Sequence, residues 1–360
     1  SRLFCVRGVT MKYKLNNLEY KKFPQDFSKN TQKELLQYAV GPLLYIPATH
    51  EKLLEAILKT REASICIDLE DAIGDNTVQQ AELNILSCLQ QLKTMIASGE
   101  ITLQELPLIF IRIRSSQQLK DFGTKLGKPL LNLLTGFNLP KFDTSCAQAY
   151  LTAFHEVKHL SQENLYFMPI FETESIMNKK GRIEELEALY RSLEPFQDHI
   201  LNIRVGATDF SNLFGIRRTI SQTIHMVQVI EDCLGDIINI FGKDYICSAP
   251  VWEYFGSNES NLKETPAWLT GLKNEIELDK LNGFIGKTCI HPSQLQAVLE
   301  SLVINEEDYE DALKILGMDE TLIGVAKGHM GNKMNEVKTH IKWAKKIIKL
   351  ATIYGVRKSN

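Results

Sequence analysis

The chain has no Cys-x-x-Cys pair, no long apolar run, no strong excess of either charge and no internal repeat. Each absence removes a class of protein. Seven cysteines are scattered at 5, 66, 88, 146, 233, 247 and 289. An odd number without regular spacing argues against a disulfide framework and for reduced thiols, hence a cytoplasmic protein. No apolar stretch approaches the roughly 18 residues of a membrane span, and no signal-peptide pattern is visible. The net charge is only −3, from 41 basic and 44 acidic residues. That balance argues against nucleic acid or an anionic membrane as the main partner. No Gly-x-Gly-x-x-Gly turn follows the first strand-like run, which counts against a dinucleotide-binding doubly wound sheet. Residues 1–10 precede Met11, a candidate natural start, and are set aside from the reading of the fold.

What the chain does have is alternation. Apolar strand-like runs at 43–46, 64–68, 108–113, 136–139, 165–171, 200–205, 244–247 and 283–289 are separated by helical stretches. The helices are expected at 51–60, 77–98, 116–126, 144–160, 183–193, 220–241, up to 279, and 294–301. The runs are apolar throughout rather than alternating, as in a parallel sheet covered on its outer face. Eight strand–helix units within 41–301 predict a (β/α)₈ barrel. Residues 1–40 read as an N-terminal arm and 302–360 as a helical C-terminal extension. The last helix, from 336 to 354, carries Val337, Ile341, Ala344, Ile348 and Ala351 on one face. That stripe has no obvious place on a closed barrel and predicts a homo-oligomer, a trimer or its multiple.

In such barrels chemistry sits where the strands end. Those ends carry Thr49 and His50, Asp68, Glu70 and Asp71, Arg112 and Arg114, Lys141, Glu172, Asp209, Ser248, and Lys287 with His291. Glu172 and Asp209, leaving consecutive strands, are two hard carboxylates able to share one Mg²⁺. Taken singly, each reads equally well as an acid at a helix N-terminus. Helix capping does not explain the arginines and lysines, because cations are disfavoured there. The set therefore predicts a metal-dependent site that handles an anion.

Seven segments fall in an order that resembles the HpcH/HpaI aldolase and citrate lyase β-subunit family. They are Leu-Tyr-Ile-Pro-Ala-Thr at 44–49, Ile-Asp-Leu-Glu-Asp-Ala-Ile at 67–73, Ile-Arg-Ile-Arg at 111–114 and Leu-Pro-Lys at 139–141. Ile-Phe-Glu-Thr-Glu at 170–174, Val-Gly-Ala-Thr-Asp-Phe at 205–210 and Gly-Phe-Ile-Gly-Lys-Thr-Cys-Ile-His-Pro at 283–292 complete the set. The resemblance implies a Mg²⁺-dependent carbon–carbon lyase or aldolase acting on an oxo acid or a CoA thioester. It implies Glu172 and Asp209 as metal ligands, and Asp68, Glu70 and Asp71 as the acids that orient the metal's waters. It implies Arg112 as the grip on a substrate carboxylate, with Lys141 and Lys287 near the substrate. The segment 211–226, with Arg217 and Arg218, reads as an enlarged loop.

The tail departs from the family, which commonly offers an Asp near a Gly-Lys-Met-x-Asp turn. Here the turn reads Asn332-Lys333-Met334-Asn335-Glu336. Glu336 is the candidate proton-transfer group, one methylene longer; Asn335 cannot transfer a proton as a carboxylate does. A second reading follows, in which the barrel keeps fold and metal but serves as a scaffold subunit. Two further patterns are set aside. His155-Glu-Val-Lys-His159 spells a zinc-protease motif, but its histidines share a polar helix stripe. The Gly283–Thr288 segment resembles a phosphate loop with two residues missing.

Overall fold

In a computed structural model the described residues are 12–60, 63–256, 265–317, 325–327 and 334–359, with backbone alone for 325–327 and 334–338. They fall into two compact units, Ser28–Val298 and Ser1–Phe27 together with Leu299–Asn360.

The first unit is built on eight parallel strands. These are β1 (Pro42–Pro47), β2 (Ser64–Asp68), β3 (Ile109–Arg112), β4 (Gly136–Leu139), β5 (Tyr166–Phe171), β6 (Ile203–Val205), β7 (Cys247–Ser248) and β8 (Lys287–Cys289). From β1 to β7 each pairs with the next in sequence, and β1 also pairs with β8. A bridge between Ala249 and Lys287 and the bond from Ile285 N–H to the Cys247 carbonyl bring β7 to β8. The result is the predicted (β/α)₈ barrel.

The strands are apolar on both faces because both faces are covered. Outward, Phe167 packs on Phe154 of the helix Ala147–Leu160, ring centroids 4.6 Å apart, and Phe171 packs on Phe241 of the helix Gln228–Phe241 at 5.1 Å. Inward, side chains of non-neighbouring strands meet. Asn138 on β4 donates to Tyr45 Oη on β1 at 2.9 Å and to Cys66 Sγ on β2 at 3.3 Å. Contact across two strands is possible only through the barrel's interior. That interior is polar toward its C-terminal end, which is where the site lies.

Element boundaries differ from expectation where glycine or helix ends intervene. The last two strands are shorter than predicted. Tyr245 still bonds back to Phe241 at the end of a helix, and Gly283 (φ 97°) and Gly286 (φ 74°) take the left-handed region before β8 can begin. The helix predicted at 116–126 extends as Ser116–Leu131 but is broken at Gly127 (φ 59°). The helix predicted at 220–241 is a short turn, Ile224–Met226, followed by Gln228–Phe241.

The second unit holds a three-stranded sheet of Tyr20–Lys22, Val356–Arg357 and Ile304–Asn305, the helices Glu306–Leu316 and Val337–Tyr354, and a hairpin pairing Val325–Lys327 with Met334–Glu336. Part of the apolar face of the last helix packs within this unit. Ala344, Ile347, Ala351 and Tyr354 are buried, and Tyr354 stacks on Tyr13 with ring centroids 5.2 Å apart. Of the predicted stripe, Ala344 and Ala351 are buried within this unit, while Ile341 and Ile348 are half-buried. No described helix is long and apolar enough to cross a membrane.

Candidate active site

Asp68 ends β2, Arg112 ends β3, and the two are register partners. Parallel neighbours lie about 4.8 Å apart with paired side chains on one face, so the two meet inside the barrel. Arg112 donates from Nε to Asp68 Oδ1 at 2.7 Å and from Nη2 to Asp68 Oδ2 at 2.6 Å, a bidentate fork. Its Nη1 reaches Glu70 Oε2 at 2.9 Å and Asp71 Oδ2 at 3.2 Å. The guanidinium also lies over the Tyr45 ring, 4.9 Å from its centroid. Asp68 in turn accepts the N–H groups of Glu70 at 3.0 Å and Ala72 at 3.1 Å, winding the acidic turn around itself. Arg114 supports that turn by donating to the carbonyls of Leu69 at 3.2 Å and Glu70 at 3.3 Å. The expected grip of Arg112 on a substrate carboxylate thus meets a different arrangement. Its fork is already filled by Asp68, because the register places that carboxylate beside it.

Lys141 follows β4 and is the positive-φ non-glycine among the described residues, at 49°. Such backbone costs on the order of 1 kcal/mol and persists only where surroundings enforce it. Here it aims the Lys141 N–H at Glu172 Oε1, 2.8 Å away, while Nζ pairs with Glu70. Glu172 is buried at the exit of β5. Burial, then the neighbouring Asp209 charge, pushes its carboxyl up to about 8. Asp209 is also raised, by burial first, although Lys141 pulls the other way. Burial raises Glu70, and its hydrogen bond with Asp71 adds to this. Burial opposes ionisation of Asp71 too, but the Glu70 hydrogen bond and the nearby Arg112 and Lys141 charges hold it below its ordinary value. Gly206, after β6, leaves the space Glu172 needs: a Cβ there would stand 2.1 Å from Glu172 Oε2. Gly206→Ala should therefore displace the carboxylate. Titration calorimetry should show Mg²⁺ affinity falling roughly tenfold, less than for outright removal of a ligand because the carboxylate is shifted and not lost, with the barrel still folded by circular dichroism.

The donor set fits a magnesium ion. Five carboxylates (Asp68, Glu70, Asp71, Glu172, Asp209) and three cations (Arg112, Lys141, Arg204) lie at the site; once the proton on the Glu172–Asp209 pair is displaced two negative charges remain, which one divalent ion neutralises. Among the described residues no group of three or more acid, histidine or cysteine side chains comes together as a complete ligand cage. Mg²⁺ commonly takes one or two protein carboxylates and keeps several waters, so Glu172 and Asp209 with open positions suit it.

Beneath this rim is a cavity of about 160 Å³ lined by Tyr45, Arg112, Glu172, Arg204, Asp209 and Thr288, among others. Two of these residues, Arg204 and Thr288, escaped sequence reasoning. Arg204 is a charge in the middle of β6, between Ile203 and Val205, and that interruption of an apolar strand was the available signal. Lys287, expected near the substrate, faces away. Adjacent strand residues point to opposite faces; Thr288 points inward, so Lys287 points outward. Its Nζ is buried between Glu275 at 2.9 Å and Asp279 at 2.7 Å. Burial works against its charge, but those two acids outweigh it and raise its pKa. Arg218 joins the same buried cluster through Glu275 and Glu253. His291 caps the following helical turn by accepting from Ser293 N–H at 3.2 Å, and its ring stacks on Phe255. His155 and His159 are exposed and contact one another. The side chain of Glu336, the candidate proton-transfer group, lies outside the described residues.

The chain matches the family described as C–C bond lyase of the TIM-barrel fold over residues 34–356, and it belongs to that family. Among solved structures it is similar to a citrate lyase from Burkholderia xenovorans LB400, with 13% identity, a TM-score of 0.61, and 89% of this chain and 94% of that one covered. It is also similar to the protein CitE from Mycobacterium tuberculosis, described in complex with magnesium, acetoacetate and coenzyme A. That match has 16% identity and a TM-score of 0.54, covering 88% of this chain and 99% of that one. None of the curated protein sequences compared with the chain matches it.

Proposed function

We propose that this protein is a Mg²⁺-dependent carbon–carbon bond lyase or aldolase whose substrate is a hydroxyacyl-CoA or a 4-hydroxy-2-oxo acid. The observation that carries this reading is the Glu172–Asp209 pair: two carboxylates at the exits of neighbouring strands, close enough that Asp209 opposes the ionisation of Glu172, with Glu172 set over Gly206 and Lys141 beside it. The magnesium described with the Mycobacterium tuberculosis protein supports the same reading. When bound, Mg²⁺ would supply Lewis acidity toward negative charge developing on the substrate's oxo oxygen as the bond breaks or forms.

The chain's own residues would do the rest. Glu172 and Asp209 would hold the ion. Asp68, Glu70 and Asp71, fixed by Arg112 and Lys141, would orient its waters, a role that outer-shell carboxylates commonly play. Lys141 and Arg112 would add positive potential toward the substrate's anionic end. The cavity is close to the roughly 150 Å³ that accommodates a benzene-sized molecule. It therefore suits a small acid, and a CoA chain would extend outside it. Glu336 remains the candidate to move the proton.

The test is an assay of malyl-, citramalyl- and citryl-CoA and of 4-hydroxy-2-oxo acids, with and without Mg²⁺. Turnover that a chelator abolishes supports the lyase. Mg²⁺ binding with no turnover across the panel would favour the scaffold reading instead.

A further inference from the structure

Outside the barrel, behind Lys287, lies a buried charged cluster that the proposed reaction does not use. His225, in the turn Ile224–Met226, belongs to it, with its side chain 4% exposed. Each ring nitrogen of His225 faces a carboxylate from a different helix. Nδ1 lies 2.6 Å from Glu231 Oε2 on the helix Gln228–Phe241. Nε2 lies 2.9 Å from Asp279 Oδ1 on the helix Ala267–Leu281. The Asn282 side-chain amide is 3.3 Å from Nδ1, and the Phe284 ring centroid is 6.5 Å from that of His225. Asp279 turns its other oxygen to Lys287 of β8. Glu275, one turn earlier on the same helix, binds Lys287 and Arg218 and accepts the Ile224 N–H at 2.8 Å. Among the described residues these are the charged groups bonded to the turn or to its partners.

A neutral imidazole has one N–H and one lone pair. It can satisfy one carboxylate, but it must then turn a lone pair toward the other. Two carboxylates, one on each nitrogen, are satisfied together only by the imidazolium. His225 accordingly titrates above its ordinary value: burial works against the charge, but Asp279 and then Glu231 outweigh it. Histidine is also the side chain whose charge changes near neutral pH, whereas arginine and lysine stay charged. We propose that His225 is a pH-operated clasp: as the imidazolium it ties the turn Ile224–Met226 to two helices at once, and loss of its proton frees the turn from one of them. A histidine raised above its unfolded value of about 6.5 contributes stability that is fully present below that value. The contribution is lost as pH rises through the folded value. The clasp is therefore closed in acid and slackens toward alkaline pH. Arg218 keeps its bonds to Glu253, Glu275 and the Val251 carbonyl throughout, so the release is confined to the end of the segment nearest His225. That end joins the helix Ala207–Leu213, which bears Asp209, to the helix Gln228–Phe241.

The experiment follows amide hydrogen exchange in the full chain from about pH 5.5 to 9.5, with each rate corrected for its intrinsic pH dependence. The reporters are the N–H groups of Ile224, Met226 and Val227, which bond to Glu275, Thr223 and Ile224. NMR of the histidine rings locates the titration of His225, assigned by its loss in His225→Gln. In the wild-type chain, protection of these amides should fall roughly tenfold or more as His225 loses its proton, the worth of one charge-assisted hydrogen bond. In His225→Gln protection should be low and independent of pH. In Glu231→Gln, which removes one of the two acids that hold the proton, both the ring titration and the fall in protection should move to lower pH. A His225 ring that titrates at or below about 6.5 overturns the clasp. So does protection that stays constant while the ring titrates, or the same pH dependence in His225→Gln. If that variant does not fold, the wild-type chain and Glu231→Gln still decide, because the fall in protection must track the ring in both.

Discussion

Mg²⁺ should bind this protein more tightly as pH rises from 6 to 8, by up to about tenfold per pH unit, with uptake of the ion releasing close to one proton near pH 7. The sign follows from Glu172. Burial, with the Asp209 charge behind it, lifts that carboxyl to about 8 in the metal-free protein. At neutral pH the pair therefore holds a proton, which the ion must displace. The same shift fixes the metal-free protein's stability. A carboxyl whose folded pKa is raised contributes stability that is fully present below its unfolded value near 4.3. That contribution is lost as pH rises through about 8. The melting temperature without metal should decline across that window, and the increment from Mg²⁺ should widen. Glu172→Gln and Asp209→Asn should each reduce Mg²⁺ affinity by roughly a hundredfold or more, since one of two protein ligands is gone. Glu172→Gln should also flatten the metal-free decline, because an amide neither titrates nor repels Asp209. Calorimetry in two buffers of different ionisation enthalpy reads the proton count directly. Affinity that ignores pH, or survives both substitutions, would sink the assignment.

Much of this site was legible in the sequence because barrel topology makes position along a strand equivalent to position in space. Asp68, Arg112, Lys141, Glu172 and Asp209 each close a strand or follow it, and consecutive strands are neighbours. A list of strand ends was therefore already a list of residues facing one cavity. What escaped was orientation. Lys287 stands at a strand end as surely as Glu172 does, but the two-residue period of a strand decides whether a side chain enters the barrel or leaves it. That phase was set by Gly283 and Gly286, whose left-handed backbone delays the start of β8. Arg204 escaped for the opposite reason. It lies mid-strand, where sequence reasoning expects packing rather than chemistry. The partner of Arg112 was hidden as well. A fork-shaped cation looks free in a sequence, and only the register of Asp68 against Arg112 shows that a carboxylate already occupies it. The last helix presents the same problem in an apolar form. Its stripe was visible, but the residues that cover it come from the far end of the chain.

Arg112→Ala should destabilise the protein by about 3–5 kcal/mol, the usual consequence of stripping one partner from a buried ion pair. Asp68 is 1% exposed and would keep only two backbone N–H bonds against its charge. Glu70 and Asp71 would lose their shared cation in the same step. A fall of several degrees in melting temperature should accompany the change. Asp68→Asn added to Arg112→Ala should recover part of the loss, because it removes the stranded charge. Arg112→Lys should recover little, since an ammonium cannot reproduce a bidentate fork and also reach Glu70 and Asp71. Arg204→Gln should behave in the opposite way. It removes a buried charge whose one hydrogen bond in hand is to a hydroxyl, so stability should hold or rise. Two arginines in one barrel would then separate by partner: Arg112 held by the protein's own acids, and Arg204 by the Thr288 hydroxyl. Thermal melts of the four variants beside the wild-type chain measure this contrast. Equal losses at both positions would overturn that separation.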